Sequence, residues 1–224
     1  TKSKNSKEPY IPKSKQKISD TQGGLSESLS NNDNFGYSVN NIGDLNNDGF
    51  EDIAIGMPYD YISSTNDGSV LILFLNANGT VSSEAKISRS SSVLSSLLSN
   101  GDQFGSSVAN LGDINGDGND ELAIGSTGYD GTGTNQGAAY IVSVTTAGNP
   151  TNAHRIASFE HGFGQALANN SNFGSSVSSV GDIDNDGYAE LAVSQSASFG
   201  GSGTQGAIYL FSLDTSGYVF NTIN

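Results

Sequence analysis

The chain has 224 residues, no Cys, no Trp and a net charge of −14. Without Cys, neither disulfide staples nor zinc–thiolate sites are possible. No apolar run reaches the roughly eighteen residues that a membrane span needs, and so acidic a body lacks the basic stripes of nucleic-acid binders.

The first seventeen residues stand apart. They hold six of the nine basic residues (Lys2, Lys4, Lys7, Lys13, Lys15 and Lys17), together with Pro9 and Pro12. Residues 1–17 read as a basic, flexible linker or leader remnant. The first residue is Thr and no secretory apolar stretch precedes the repeats, which reads as a processed or truncated form. Residues 18–224 number 207 and form one domain of three 69-residue periods, with three basic residues against 22 acidic, a net of −19.

Each period runs through the same elements. A basic residue and Ile come first (Lys17-Ile18, Lys86-Ile87, Arg155-Ile156), and Phe-Gly follows seventeen residues after each Ile, at Phe35, Phe104 and Phe173. A Gly-Asp step then opens a loop rich in acids. Downstream lie apolar runs at Ile53-Ala54-Ile55, Leu122-Ala123-Ile124 and Leu191-Ala192-Val193. A variable polar loop separates each from a glycine-led run starting at Gly68, Gly137 or Gly206. Short β-branched and aromatic runs bounded by Gly, Asn and Asp read as strands. Four per period predict one four-stranded antiparallel sheet per repeat, an all-β propeller or array. A turn of helix is predicted only around Val93 to Leu98.

The acid-rich loops read as calcium sites. Oxygen side chains stand at loop positions 1, 3, 5 and 9: Asp44, Asn46, Asp48, Asp52; Asp113, Asn115, Asp117, Glu121; Asp182, Asp184, Asp186, Glu190. A hard cation takes six to eight oxygens, and alternate residues of a tight loop converge on one point. Position 7 (Phe50, Asn119, Tyr188) contributes its backbone carbonyl, and Gly at position 6 allows the sharp reversal. An EF-hand needs Glu at position 12, whereas Ile55, Ile124 and Val193 stand there. Repulsion among the acids couples cation binding to folding, most strongly in the third loop with its four acids.

Phe-Gly, then Gly-Asp-x-Asn-x-Asp-Gly-x-x-Asp, then Ile-Ala-Ile-Gly-x-Pro closely resembles the FG-GAP repeat of integrin α-subunit β-propellers. Gly56-Met57-Pro58 stands where that family has Gly-Ala-Pro; Gly125-Ser126-Thr127 and Ser194-Gln195-Ser196 depart from it. The resemblance implies Ca²⁺ in each of the three loops on one face of the propeller and ligand recognition on the other. It implies an extracellular or cell-surface recognition or adhesion module for a protein or glycan, and no enzyme. A structural spacer and a calcium-dependent lectin are the alternatives. Candidate ligand contacts in the variable loops are Tyr59, Asp60, Tyr61, Tyr129, Asp130 and Phe199. His154 and His161 sit in no triad-like or zinc-like motif, and Asn78 and Asn169 match glycosylation acceptors.

Propellers typically need four to eight blades. Three blades therefore predict either a homodimer completing a six-bladed ring or membership of a larger propeller. The chain ends one residue before the next partner of Ile87 and Ile156. The phase thus predicts that the N-terminal segment supplies the outer strand of the last repeat, within the chain or to a second copy.

Overall fold

The computed structural model describes residues 14–62, 65–183, 185–196, 206–215 and 217–222. Among these, three antiparallel four-stranded sheets follow one another along the chain. Blade 1 comprises β1 (Ser38–Gly43), β2 (Asp52–Met57), β5 (Ser69–Leu75) and β6 (Val81–Ile87), in that spatial order. A small hairpin, β3 (Tyr61–Ile62) with β4 (Thr65–Asn66), interrupts it. Blade 2 is β7 (Phe104–Gly112), β8 (Glu121–Ser126), β9 (Ala138–Val144) and β10 (Pro150–Ile156). Blade 3 is β11 (Phe173–Ser179), β12 (Leu191–Gln195), β13 (Ala207–Leu213) and β14 (Val219–Thr222). The meander matches the strand pattern expected from the sequence. The stretch around Val93–Leu98 forms hydrogen-bonded turns, with Leu98 N–H donating to Leu94 O at 3.0 Å.

Successive side chains of a strand point to opposite faces, so every blade has a leading face toward the preceding blade and a trailing face toward the next. The trailing face of blade 1 (Ala54, Val70, Ile72) and the leading face of blade 2 (Leu122, Ile124, Tyr140) share one core. The trailing face of blade 2 (Ala123, Ala139, Ile141) and the leading face of blade 3 (Leu191, Val193, Phe211) share another.

Phe-Gly and the glycine after the apolar run meet across these joints. Gly68 bridges Phe104 in parallel, and Gly137 bridges Phe173. A Cβ on Gly56 would lie 1.9 Å from the carbonyl oxygen of Gly105, and one on Gly125 would lie 1.9 Å from that of Gly174. Gly105 and Gly174 also have φ of +94° and +86°, a region that L side chains rarely adopt. Ser38 Oγ donates to Gly105 O at 3.0 Å and Ser107 Oγ to Gly174 O at 2.8 Å.

The N-terminal segment corrects one expectation. Blade 3 has its own outer strand, β14, paired to β13 through Phe211↔Thr222 and Leu213↔Val219. Residues from Ile18 onward fold instead against blade 1. Ile18, Leu25 and Leu29 pack on Ile55, Met57, Leu71 and Leu73, and Val81 N–H donates to Gly23 O at 2.8 Å. Apolar side chains bury against the nearest open face, and blade 1 is nearer along the chain than blade 3. Leu25 and Leu29 have counterparts one period on at Leu94 and Leu98 and again at Phe163 and Leu167, all packed into the blade cores.

Candidate functional site: acidic loops at one end and tyrosine loops at the other

In an antiparallel meander, alternate connections lie at opposite ends of the sheet. The acid-rich loops join β1 to β2, β7 to β8 and β11 to β12 at one end. The variable loops after β2 and β8 lie at the other.

The three acid-rich loops share one local design. Asp44 accepts from the N–H groups of Asp48 at 2.9 Å and Gly49 at 2.8 Å. Asp113 does the same for Asp117 and Gly118, and Asp182 for Asp186 and Gly187. Position 4 is Asn47, Gly116 or Asn185, each at positive φ of 59–74°, which Asn and Gly tolerate best. The acid at position 9 is buried in every loop and accepts from the N–H at position 2. Asp52 takes Leu45 at 3.1 Å, Glu121 takes Ile114 at 3.0 Å and Glu190 takes Ile183 at 2.6 Å. The position-9 acid therefore ties the loop to the sheet, a role the ligand pattern alone does not reveal.

Burial pushes the carboxyls of Asp52 and Glu121 above their ordinary values, against the hydrogen bonds that they accept. Asp117 is pulled down, chiefly by the Asn119 side-chain amide. Among the described residues, no three Asp, Glu or His side chains converge on one point, so a cation here would draw on Asn and backbone oxygens as well. The donor set fits such an ion in one specific respect: Glu190 Oε1 is buried with no partner among the described residues. Phe50 is exposed, and Asn46, Asn119 and Tyr188 are half-buried. Asp184 lies outside the described residues.

At the opposite end, Tyr59 and Tyr61 line an open cleft of about 440 Å³ with Asn31, Asn32, Asn34 and Asn66. Asp60 is not in it. It is buried, accepts from Ser69 Oγ at 2.5 Å and pairs with Lys86 at 2.6 Å. One period later Tyr129 takes the same place, with the Arg155 guanidinium 4.3 Å from its ring centroid. This gives two of the three basic residues before Ile a role: Lys86 is the partner of Asp60 and Arg155 of Tyr129. Lys86 also pairs with Glu27 at 2.7 Å. Arg155 also holds Glu160 through two bonds of 2.7 and 2.9 Å. Burial pulls the Lys86 and Arg155 pKa values down, but these partners outweigh it and raise both. Asp130 accepts from Asn135 N–H at 2.6 Å. Phe199 lies outside the described residues. His154 and His161 both pack against the Tyr218 ring, at 4.4 and 5.0 Å between centroids.

Asp102, buried two residues before Phe104, accepts from Ser99 N–H at 2.7 Å. Burial pushes its pKa to about 6, with Ser99 N–H and Arg155 pulling the other way. The raised value means that its stabilising contribution is full below about pH 3.8 and is lost as pH rises through about 6. Asp102→Asn is therefore expected to stabilise the fold at pH 7 by on the order of 2 kcal/mol and to give no gain at pH 3.5. Denaturant titrations at the two pH values check this; equal effects at both would refute it.

The FG-GAP repeat profile matches residues 35–73, 104–142 and 173–211. Integrin alpha-3 of Cricetulus griseus is 32% identical over 155 residues, 68% of this chain and 13% of that protein. Integrin alpha-PS5 of Drosophila melanogaster is 33% identical over 181 residues, 79% of this chain and 16% of that protein. Integrin alpha-6 of Gallus gallus is 32% identical over 159 residues, 71% of this chain and 13% of that protein. The chain thus spans 13–16% of the length of these relatives. Among the described residues no helix is long and apolar enough to cross a membrane.

Proposed function

The chain belongs to the FG-GAP repeat family, and on that premise we propose that it is a calcium-stabilised, non-enzymatic recognition module of the cell surface or extracellular space, binding a protein or glycan. The similarity to integrin α-subunits supports an adhesion role. The observation that carries the recognition reading is the cleft of Tyr59, Tyr61 and four asparagines, at the end of blade 1 opposite its acidic loop. Tyr61 is exposed. Aromatic faces pack on the C–H faces of sugars, and side-chain amides both donate to and accept from hydroxyls. A lectin-like role is the form of the proposal that this cleft favours.

Calcium acts as a brace rather than a reactant. It would sit in the three loops, held by the oxygens at positions 1, 3, 5 and 9 with the carbonyls of Phe50, Asn119 and Tyr188. The buried, unpartnered Glu190 Oε1 supports this for the third loop. Saturating Ca²⁺ at about a hundred times Kd is expected to add about 2.7 kcal/mol per site. Glu190→Gln should remove about a third of the Ca²⁺-induced rise in Tm, the share of one loop in three, while leaving the chelated protein close to the parent. A Tm indifferent to Ca²⁺ would overturn the brace.

A glycan array with and without chelator tests the recognition reading. Binding that is lost in Tyr61→Ala supports it. The second reading is a structural assembly or spacer module; silence on the array together with tight association would favour it.

A further inference from the structure

The small hairpin of blade 1 has a cleft on each of its two faces. Its cross-strand pairs are Tyr61↔Asn66 and Ile62↔Thr65. Partners across a ladder share a face, and neighbours along a strand do not. Tyr61 and Asn66 accordingly line the tyrosine cleft. Ile62 and Thr65 line a second cleft of about 360 Å³, together with Arg89 and Ser90. Arg89 and Ser90 belong to the link between β6 and β7, so both walls of this cleft lie well inside the chain.

Charge sets the second cleft apart. Residues 18–224 contain three basic residues, Lys86, Arg89 and Arg155. Lys86 lies between Asp60 at 2.6 Å and Glu27 at 2.7 Å. Arg155 gives two bonds to Glu160 and a third to Leu97 O. Among the described residues, the one ion pair of Arg89 is a long contact of 3.4 Å from Nη1 to Asp67 Oδ2. The Arg89 side chain is also the most exposed of the three, at 38% against 26% and 17%. Asp67 is fully buried, and Thr65 Oγ1 lies 2.8 Å from the same carboxylate oxygen. Asp67 thus anchors one corner of the guanidinium, whose five N–H donors form a planar fork suited to a second carboxylate. Ile62 adds an apolar wall, and Thr65 and Ser90 add hydroxyls that both donate and accept. A pyranose ring with a carboxylate uses all three: an apolar contact for its C–H face, hydroxyl partners and a cation. The net charge of −19 on residues 18–224 repels anions at long range. At 0.15 M salt that field is screened beyond about 8 Å, whereas a direct contact is not.

We infer that the Arg89 cleft is an acidic-sugar subsite: it takes the carboxylate of a uronic or sialic acid unit, while a neutral unit of the same glycan sits on Tyr59 and Tyr61 across the hairpin. This rests on the glycan reading of the tyrosine cleft and narrows its ligands to carboxylated glycans. The carboxylate accepts from the Arg89 N–H groups that Asp67 leaves free, and the ring packs on Ile62.

An array that pairs each uronate- or sialate-bearing glycan with its carboxyl-reduced counterpart tests this at 0.15 M salt. The parent is expected to bind one or both acidic sets at least about tenfold more tightly than the reduced forms, the order of a charge-assisted contact; which set responds identifies the acid. Arg89→Gln should erase that preference and leave binding of the neutral glycans unchanged. Because Arg89→Gln leaves Asp67 buried without its cation, the double variant Asp67→Asn, Arg89→Gln is measured beside it and should show the same loss. Tyr61→Ala should weaken acidic and reduced glycans together. The inference is overturned if carboxyl reduction leaves the parent's binding unchanged or if the preference survives in the Arg89→Gln variants. It is also overturned if a hexaglutamate peptide shows the same Arg89-dependent binding, which would assign the cleft to acidic protein segments. Neutral glycans bound without any preference for acid would leave the recognition reading standing; silence of every glycan would remove both.

Discussion

Phe173→Ala is expected to destabilise the protein by about 3–5 kcal/mol, lowering Tm by roughly 10 °C for a chain of this size. Phe173 is fully buried in the second joint. Its ring meets Phe163 at 5.2 Å, Tyr209 at 5.6 Å and Phe211 at 6.2 Å between centroids. Its backbone N–H donates to Gln136 O at 3.0 Å, tying blade 3 to blade 2. Truncation removes the side chain from a cluster whose walls belong to two blades, so neither blade alone can close the cavity. The discriminating control is Phe35→Ala. Phe35 is repeat-equivalent but only partly buried, packed against blade 1 and the N-terminal segment. It should cost less than half as much. Equal losses at the two positions would show that the blade joint adds nothing to the motif.

Gly125→Ala should cost about 3 kcal/mol, the upper end of ordinary overpacking. The added methyl would meet Gly174 O at 1.9 Å and Ser107 Oγ at 2.3 Å. The hydroxyl can rotate away, at the loss of its 2.8 Å bond to Gly174 O. The carbonyl can move only if blade 3 shifts. Hydrogen exchange should therefore speed up in β11–β14 before it does in β5 and β6. Ser194→Ala, at the same repeat position on the open face, should stay within about 0.5 kcal/mol of the parent. If Gly125→Ala were as mild as Ser194→Ala, the glycine would be incidental to the joint.

Much of this protein was legible in its residues. The short apolar runs bounded by turn residues, the Gly-Asp steps and the 69-residue period located the strands of three blades and the loops between them. Local chemistry set these elements: Asp44 and its counterparts cap N–H groups four and five residues on, a pattern that any sequence window of loop length contains. The pair Leu25 and Leu29, repeated at 94/98 and 163/167, was equally available from the period. The ligand candidates fared differently. Asp60 and Tyr129 look like loop decoration in sequence, yet both serve as partners of Lys86 and Arg155, some 26 residues further on. Tyr59 and Tyr61, by contrast, line an open cleft.

The sequence by itself determined the blades, because strand alternation, turn chemistry and loop capping act over a few residues. Only the tertiary structure decided what the recurring motifs are for. Gly56 and Gly105 lie 49 residues apart and meet because two sheets pack face to face, so the reason for either glycine is the backbone of the other blade. The same packing decided that the N-terminal segment covers blade 1 instead of completing blade 3, and that Val39, Ile183 and Ile208, identical in role to buried residues one period away, stand at open faces. Burial is a property of what lies opposite, and no repeat carries that information within itself.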